Sequence, residues 1–310
     1  MSPDPLAGVP PEVRIVEVGP RDGLQNEARL LSVEQRIAMI RGLAGAGLST
    51  IEAGAFVRFD LVPAMAGSDA VLEGLRDLEH VRLPVLVPNR RGLRSAIDAG
   101  AREVAVFAAA SETFSLRNGG AGIEATLARI DEVAAKAKGA GLSLRGYLSC
   151  VAGCPFEGEV PVARVVEVAE ALAGMGCQEI SLGDTIGIGT PARIVAVVRA
   201  CAAAVGIDRL AIHAHDTMGQ ALANVLTALE LGVRTVDSSV AGLGGCPFAP
   251  GAAGNLATED LVYLLDGLGV RHGVDFDRLA AVGETVTALL GRAGSSRAAA
   301  GHRRRKGRAA

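Results

Sequence analysis

The sequence predicts an α/β fold, a closed (β/α)8 TIM barrel with one additional C-terminal helix, and three observations carry that prediction. Eight short β-branched runs alternate with eight segments of helical spacing along 310 residues, the pattern of a parallel sheet whose crossovers are helices. Several of the helical segments end in a glycine turn, as at Gly45-Ala-Gly47, Ala99-Gly100, Gly139-Ala-Gly141, Gly174-Met-Gly176 and Leu231-Gly232, where glycine supplies the left-handed cap. Hydrophobic residues make up 49% of the chain and aromatic residues only 3%. A large core is therefore available, filled by Ala, Val, Leu and Ile, and barrels reach this length as one unit. A doubly wound open sheet is the competing arrangement.

In chain order the strands read 13–18, 49–52, 83–87, 103–107, 143–148, 179–182, 210–213 and 235–239, each a short apolar run between turn residues. The helices read 33–46, roughly 61–78, 91–99, 123–140, 162–175, 191–204, 220–231 and 258–265, each with apolar positions three or four apart. A further helix at 276–290 follows the eighth unit and suits a cover for one barrel end or an oligomer contact. Residues 13–296 form one domain, 1–12 a disordered extension and 297–310 a basic disordered tail.

The formal charge of −3 hides an asymmetry. Setting aside the five positive charges of residues 302–308 (His-Arg-Arg-Arg-Lys-Gly-Arg) leaves −8 on the body. An acidic body argues against a nucleic-acid-binding enzyme surface. The five cysteines, at 150, 154, 177, 201 and 246, are odd in number and widely spaced. No apolar run has membrane length and the N-terminus carries no basic-then-apolar leader. Free thiols in a reducing cytoplasm are expected, with no membrane partner.

The first strand ends before Arg21-Asp22, and the seventh ends in His213-Ala-His215. Alternate residues of a strand face the same side, and in a barrel the first strand neighbours the eighth. Asp22, His213 and His215 then share one mouth, where barrel active sites sit. One carboxylate and two imidazoles suit a hard divalent cation, and Asn255 can add an amide oxygen as fourth ligand. Asp216 either supports an imidazole from behind or caps the helix that starts near Gly219.

The Arg21 guanidinium can stabilise an oxyanion beside the cation, or pair with Glu52 or Asp184 to hold the mouth together. Glu52 and Asp184, at the ends of strands two and six, point to the same mouth and can act as bases or orient Arg21. The loop 241–254 has five glycines and two prolines, with Cys246 near its middle. A thiol there can move a proton if the loop closes over the site; the bland alternative is an incidental loop cysteine. Phosphate binding by this loop is disfavoured, because no Lys-Ser/Thr follows it.

Four segments resemble one family. Residues 16–27 (Val-Glu-Val-Gly-Pro-Arg-Asp-Gly-Leu-Gln-Asn-Glu), 181–187 (Ser-Leu-Gly-Asp-Thr-Ile-Gly), 213–224 (His-Ala-His-Asp-Thr-Met-Gly-Gln-Ala-Leu-Ala-Asn) and 237–248 (Asp-Ser-Ser-Val-Ala-Gly-Leu-Gly-Gly-Cys-Pro-Phe) are similar to the 3-hydroxy-3-methylglutaryl-CoA lyases, over the chain to about residue 300. The resemblance implies a carbon–carbon lyase that cleaves this acyl-CoA thioester to acetyl-CoA and acetoacetate, in leucine degradation and ketone-body formation. It implies Mg²⁺ or Mn²⁺ at Asp22, His213, His215 and Asn255, with His213 also catalytic. It implies an enolate-stabilising Arg21, substrate contact from Arg21 and Gln25, proton transfer by Cys246, assistance from Glu52 and Asp184, and a homodimer. Three departures stand out. Residues 55–60 (Ala-Phe-Val-Arg-Phe-Asp) replace a Ser-Phe-Val-Ser-Pro-Lys pattern, so Ala55, Arg58, Phe59 and Asp60 change the second βα loop. Gly291 and Ala293 stand where the family tends to carry Asn and Lys. A regulatory C-terminal cysteine found in some animal members is absent. A lyase for a bulkier 3-hydroxy-3-alkylglutaryl-CoA is the alternative activity, and a noncatalytic metal-binding relative the alternative of another class.

Overall fold

The computed structural model describes residues 7–245 and 254–309, with side chains to 305. Eight parallel strands form one sheet in the order β1-β8-β7-β6-β5-β4-β3-β2. They are β1 (Arg14–Glu17), β2 (Gly54–Ala55), β3 (Val85–Leu86), β4 (Glu103–Ala109), β5 (Ser143–Ser149), β6 (Glu179–Asp184), β7 (Leu210–Ala214) and β8 (Thr235–Ser238). The two ends of the sheet meet where Glu17 pairs with Ile51, Glu17 N–H donating to Thr50 O at 3.0 Å and Glu52 N–H to Glu17 O at 2.9 Å. This is the (β/α)8 arrangement.

The second strand departs from its predicted span. Residues 50–53 still hydrogen-bond to the third strand's approach, but regular pairing begins only at Gly54. The cause is Pro84, which has no N–H to return to this ladder. The second predicted helix is likewise broken. A short turn at Pro63–Met65 is followed by α2 (Ser68–Glu73), separated from it by Gly67 at φ 73°.

The remaining helices lie close to their predicted places: α1 (Val33–Gly45), α3 (Arg90–Asp98), α5 (Ile123–Gly139), α6 (Val162–Gly174), α7 (Pro191–Val205), α8 (Ala221–Glu230), α9 (Thr258–Gly267) and α10 (Phe276–Leu290). The last packs against α1, α9 and the turn at Val240–Gly242. Helix α4 (Glu112–Gly119) was not foreseen; Ser111 caps it by accepting the Phe114 N–H at 3.1 Å.

The described parts of both terminal segments, 7–12 and 297–309, are more ordered than composition suggested. The segment 297–310, expected as a disordered tail, forms α11 (Arg297–Ala309). Its start is held by Asp260, which accepts from Ser296 Oγ and Ala298 N, each at 2.7 Å. Arg303 pairs with Glu284 at 3.3 Å, and His302 lies 2.6 Å from Asp277 Oδ1. His302 and Arg303 thus face acids on α10. At the other end, residues 11–13 exchange backbone hydrogen bonds with Arg271, and a Cβ at Gly8 would meet Glu230 O at 2.2 Å. Among the described residues no helix is long and apolar enough to cross a membrane. Cys150, Cys154, Cys177 and Cys201 are buried.

Candidate active site at the barrel mouth

The turn after β1 runs over Gly19–Gly23 and presents Arg21 and Asp22 to the mouth. Its backbone sits tightly against β8's end, where a Cβ at Gly23 would fall 2.7 Å from Ser239 Oγ. On β7 the alternation of the strand brings His213 and His215 to the same side, their ring centroids 5.2 Å apart. Potential ligand atoms of Asp22, His213 and His215 all lie within 4.8 Å of one another. Asn255 bridges to His215 through its backbone, and its Nδ2 donates to Asp22 Oδ2 at 2.9 Å and to Leu243 O at 3.0 Å.

This donor set fits a hard divalent cation. Among the described residues Asn255 Oδ1 and His215 Nδ1 are buried and lack a hydrogen-bond partner, which buried polar atoms rarely do. Asp22 is ionised: burial alone would raise its pKa, but the charges of Arg21, His213 and His215 outweigh it and hold it at about 2. Burial and the neighbouring His213 bring His215 down to about 4, a neutral imidazole with a lone pair to give.

Behind His213 lies a network that sequence reasoning missed. Its Nδ1 is 3.3 Å from Asp237 Oδ2, which leaves Nε2 for a cation. Arg145 clamps Asp237 with Nη2 at 2.6 Å and Nη1 at 3.1 Å, and Ser181 Oγ donates to the same carboxylate at 2.7 Å. Arg145 Nε also donates to Glu179, which pairs with Arg14. Burial would raise Asp237, yet Arg145 and His213 hold it well below the ordinary carboxylate range. An Arg and a Tyr two apart in an otherwise apolar strand (143–149, Ser-Leu-Arg-Gly-Tyr-Leu-Ser) were the available signal. Residues at that spacing share the inward face.

Arg21 is buried and serves two partners. Its Nε donates to Glu52 Oε2 at 2.7 Å and its Nη1 to Asp22 Oδ1 at 2.6 Å. Burial drives the Glu52 pKa upward, with Arg21 opposing, and Glu52 Oε1 is a third buried atom without a hydrogen-bond partner among the described residues. Of the two predicted partners for Arg21, the structure thus pairs it with Glu52. Asp184 is turned elsewhere, accepting the N–H groups of Ile188 at 3.2 Å and Gly189 at 2.9 Å. It holds the turn after β6. Asp216 takes the capping role, accepting the Ala221 N–H at 3.0 Å at the start of α8.

Arg21, Asp22, Gln25, Tyr147, His213 and His215 all line one cavity of about 1100 Å³. Its outer wall includes residues 56–62, the segment that departs from the family pattern. Cys246 lies outside the described residues.

The HMGL-like family model matches residues 12–286. The chain belongs to the HMGL-like family. It is 51% identical over 298 residues to the mitochondrial hydroxymethylglutaryl-CoA lyase of Arabidopsis thaliana, covering 96% of this chain and 64% of that protein. It is 51% identical over 290 residues to the mitochondrial enzyme of the same name from Bos taurus, covering 94% of this chain and 89% of that one. The hydroxymethylglutaryl-CoA lyase of Pseudomonas aeruginosa superposes with a TM-score of 0.94 at 48% identity, covering 96% of this chain and 99% of that structure's chain.

Proposed function

We propose that this HMGL-like protein is a lyase that cleaves 3-hydroxy-3-methylglutaryl-CoA to acetyl-CoA and acetoacetate, with Mg²⁺ or Mn²⁺ bound by Asp22, His213, His215 and Asn255. The observation that carries the reading is the meeting of Asp22, His213 and His215 within 4.8 Å, beside the buried Arg21. Relatives at about half identity that carry the lyase name give the substrate. When bound, the cation draws charge from the oxygens of the substrate.

The chain's own groups do the rest. In the overall step the 3-hydroxyl passes its proton to a base at the mouth, for which Glu52 with its unengaged Oε1 is the candidate, and the C2–C3 bond breaks. C3 becomes the ketone of acetoacetate and C2 receives the electron pair as the enolate of acetyl-CoA. Arg21, its Nε and Nη1 already held by Glu52 and Asp22, offers its remaining edge to that enolate. Cys246, in the glycine-rich loop that leaves β8, supplies the proton C2 then takes. Asp237 and Arg145 keep the His213 ring in one orientation. Asp184 shapes the turn beside the cavity, and Gln25 meets the substrate at its rim. The enzyme works as a homodimer, and its odd number of widely spaced cysteines supports a cytoplasmic setting.

Purified protein with Mg²⁺ or Mn²⁺ should release acetyl-CoA from the thioester, measured by a coupled assay. Metal binding without release at any concentration of either ion would defeat this substrate. One observation favours a second reading. Phe56, Val57, Phe59 and Leu61 line the cavity within or beside the departing segment, so a bulkier 3-alkyl group would meet an apolar wall. The ratio of kcat/KM on the two thioesters separates the readings.

A further inference from the structure

Among the polar atoms at the mouth, one has no role so far. Tyr147 projects from β5 into the same cavity as the cation ligands and is only 8% exposed. Its hydroxyl is buried and has no hydrogen-bond partner among the described residues. The ring is held on several sides. The Arg145 guanidinium carbon lies 4.8 Å from its centroid, that of Arg21 lies 5.2 Å away, and the His213 ring meets it edge-on at 6.4 Å and 81°.

Those ring contacts need only an aromatic face. Phenylalanine would supply it without leaving a hydroxyl stranded, and Phe107 lines this cavity with just such a ring. A buried donor without an acceptor is a net cost to folding. Its presence therefore marks a task performed when something else occupies the cavity. A phenol near neutral pH is protonated and donates one hydrogen bond. Arg21 rests against the same ring, with two of its nitrogens engaged by Glu52 and Asp22. The two donors address one part of the cavity, next to the cation ligands.

We propose that Tyr147 is a further catalytic residue, whose hydroxyl donates a hydrogen bond to the thioester carbonyl oxygen as that oxygen takes on charge in the enolate. This rests on the lyase reading above and names a second donor for its enolate. The phenol keeps its proton throughout. The pair released from the C2–C3 bond delocalises onto the thioester oxygen between Tyr147 and Arg21, and the proton that C2 finally takes comes from another group.

Tyr147→Phe removes one oxygen and retains the ring. It should lower kcat about 100-fold, the scale of one oxyanion donor, with KM changed less than about threefold, because the bond strengthens only as charge develops. The thermal midpoint should hold or rise. A CoA thioether ending in a carboxylate, an anionic mimic of the enolate, should bind Tyr147→Phe more weakly by a comparable factor, while acetyl-CoA binds both proteins alike. Wild-type kcat in Tyr147→Phe overturns the proposal and leaves the lyase reading intact. So does a fall in kcat matched by lost thermal stability with unchanged mimic binding, which is a structural role. Failure of the wild-type protein to turn over, seen before any variant is made, takes down the reading and this proposal with it.

Discussion

The inner and outer walls of the mouth are built on different principles. On the inner wall, β5 to β8 carry Arg145, Glu179, Ser181, His213 and Asp237, joined in one buried network with several contacts at 2.6–3.3 Å. On the outer wall, Arg58 and Asp60 pair only with each other at the surface, and Phe59 and Leu61 are 52% and 68% exposed. Surface ion pairs contribute little to stability, whereas removing one partner of a buried pair is strongly destabilising. Groups around the chemistry are thus held rigidly, while groups facing the acyl chain can change at small energetic cost. Three of the four departures from the family pattern, Arg58, Phe59 and Asp60, fall on this exposed wall, while Ala55 is buried in β2.

Substitutions that cut into the inner wall should have the largest effects. Asp22→Ala or His213→Ala removes one of the proposed cation ligands. Each should lower kcat by on the order of 10³-fold, about 4 kcal/mol at the transition state, with cation affinity lost in titration calorimetry. Either variant retaining full turnover would break the contrast at its root. Asp237→Asn acts one step back. It frees the His213 ring and leaves Arg145 with Glu179 as its remaining carboxylate, so cation affinity should fall about 10- to 100-fold and the thermal midpoint should drop as well. Normal cation affinity in a folded Asp237→Asn protein would show that the network serves folding only.

Much of the inner wall was legible in the sequence because strand geometry is local. His213 and His215 at a spacing of two had to share a face, and Asp22 after the first strand had to lie near the eighth. What could not be read was pairing across distance. Arg145 and Asp237 stand 92 residues apart, and nothing local announces that two buried charges will meet. The same limit explains the C-terminal helix. Its basic composition looked like a solvated tail until Asp260, Glu284 and Asp277, all earlier in the chain, came to lie beside it. The second strand was misplaced for a different reason, since the missing N–H of Pro84 weakens a ladder whose apolar pattern is intact.

A third group of carboxylates sharpens the contrast through pH. Glu17 and Glu259 are buried behind the inner wall, where they accept from backbone N–H groups and one hydroxyl but pair with no cation. Glu17 takes Gly19 N, Val240 N and Thr258 Oγ1, and Glu259 takes Ala241 N with both oxygens. Burial pushes Glu17 up to about 7 and Glu259 up to about 8 from a usual 4.5. Both are raised, so between these limits the folded protein binds more protons than the unfolded chain, and stability falls as pH rises. Their contribution is complete below about pH 4.5 and is lost as pH climbs through 7 and 8. Thermal midpoints should therefore decline from pH 5 to pH 8, and Glu259→Gln, uncharged throughout, should flatten the decline. An unaltered slope in that variant would place the titration on other groups.

The smallest effect belongs to the outer wall. Phe59→Ala should leave kcat on the methyl substrate within about twofold, because the residue touches no group in the network. Its effect should appear as a ratio. Removing an aromatic face from the acyl wall should lower kcat/KM for a bulkier 3-alkyl thioester by about tenfold at most relative to the methyl one, since apolar pockets discriminate by only about 1–3 kcal/mol per group. Half exposure of Phe59 puts the expected value at the low end of that span. A change in kcat equal for both substrates would mean that the outer wall steers the chemistry after all, and that the two walls are mechanically one.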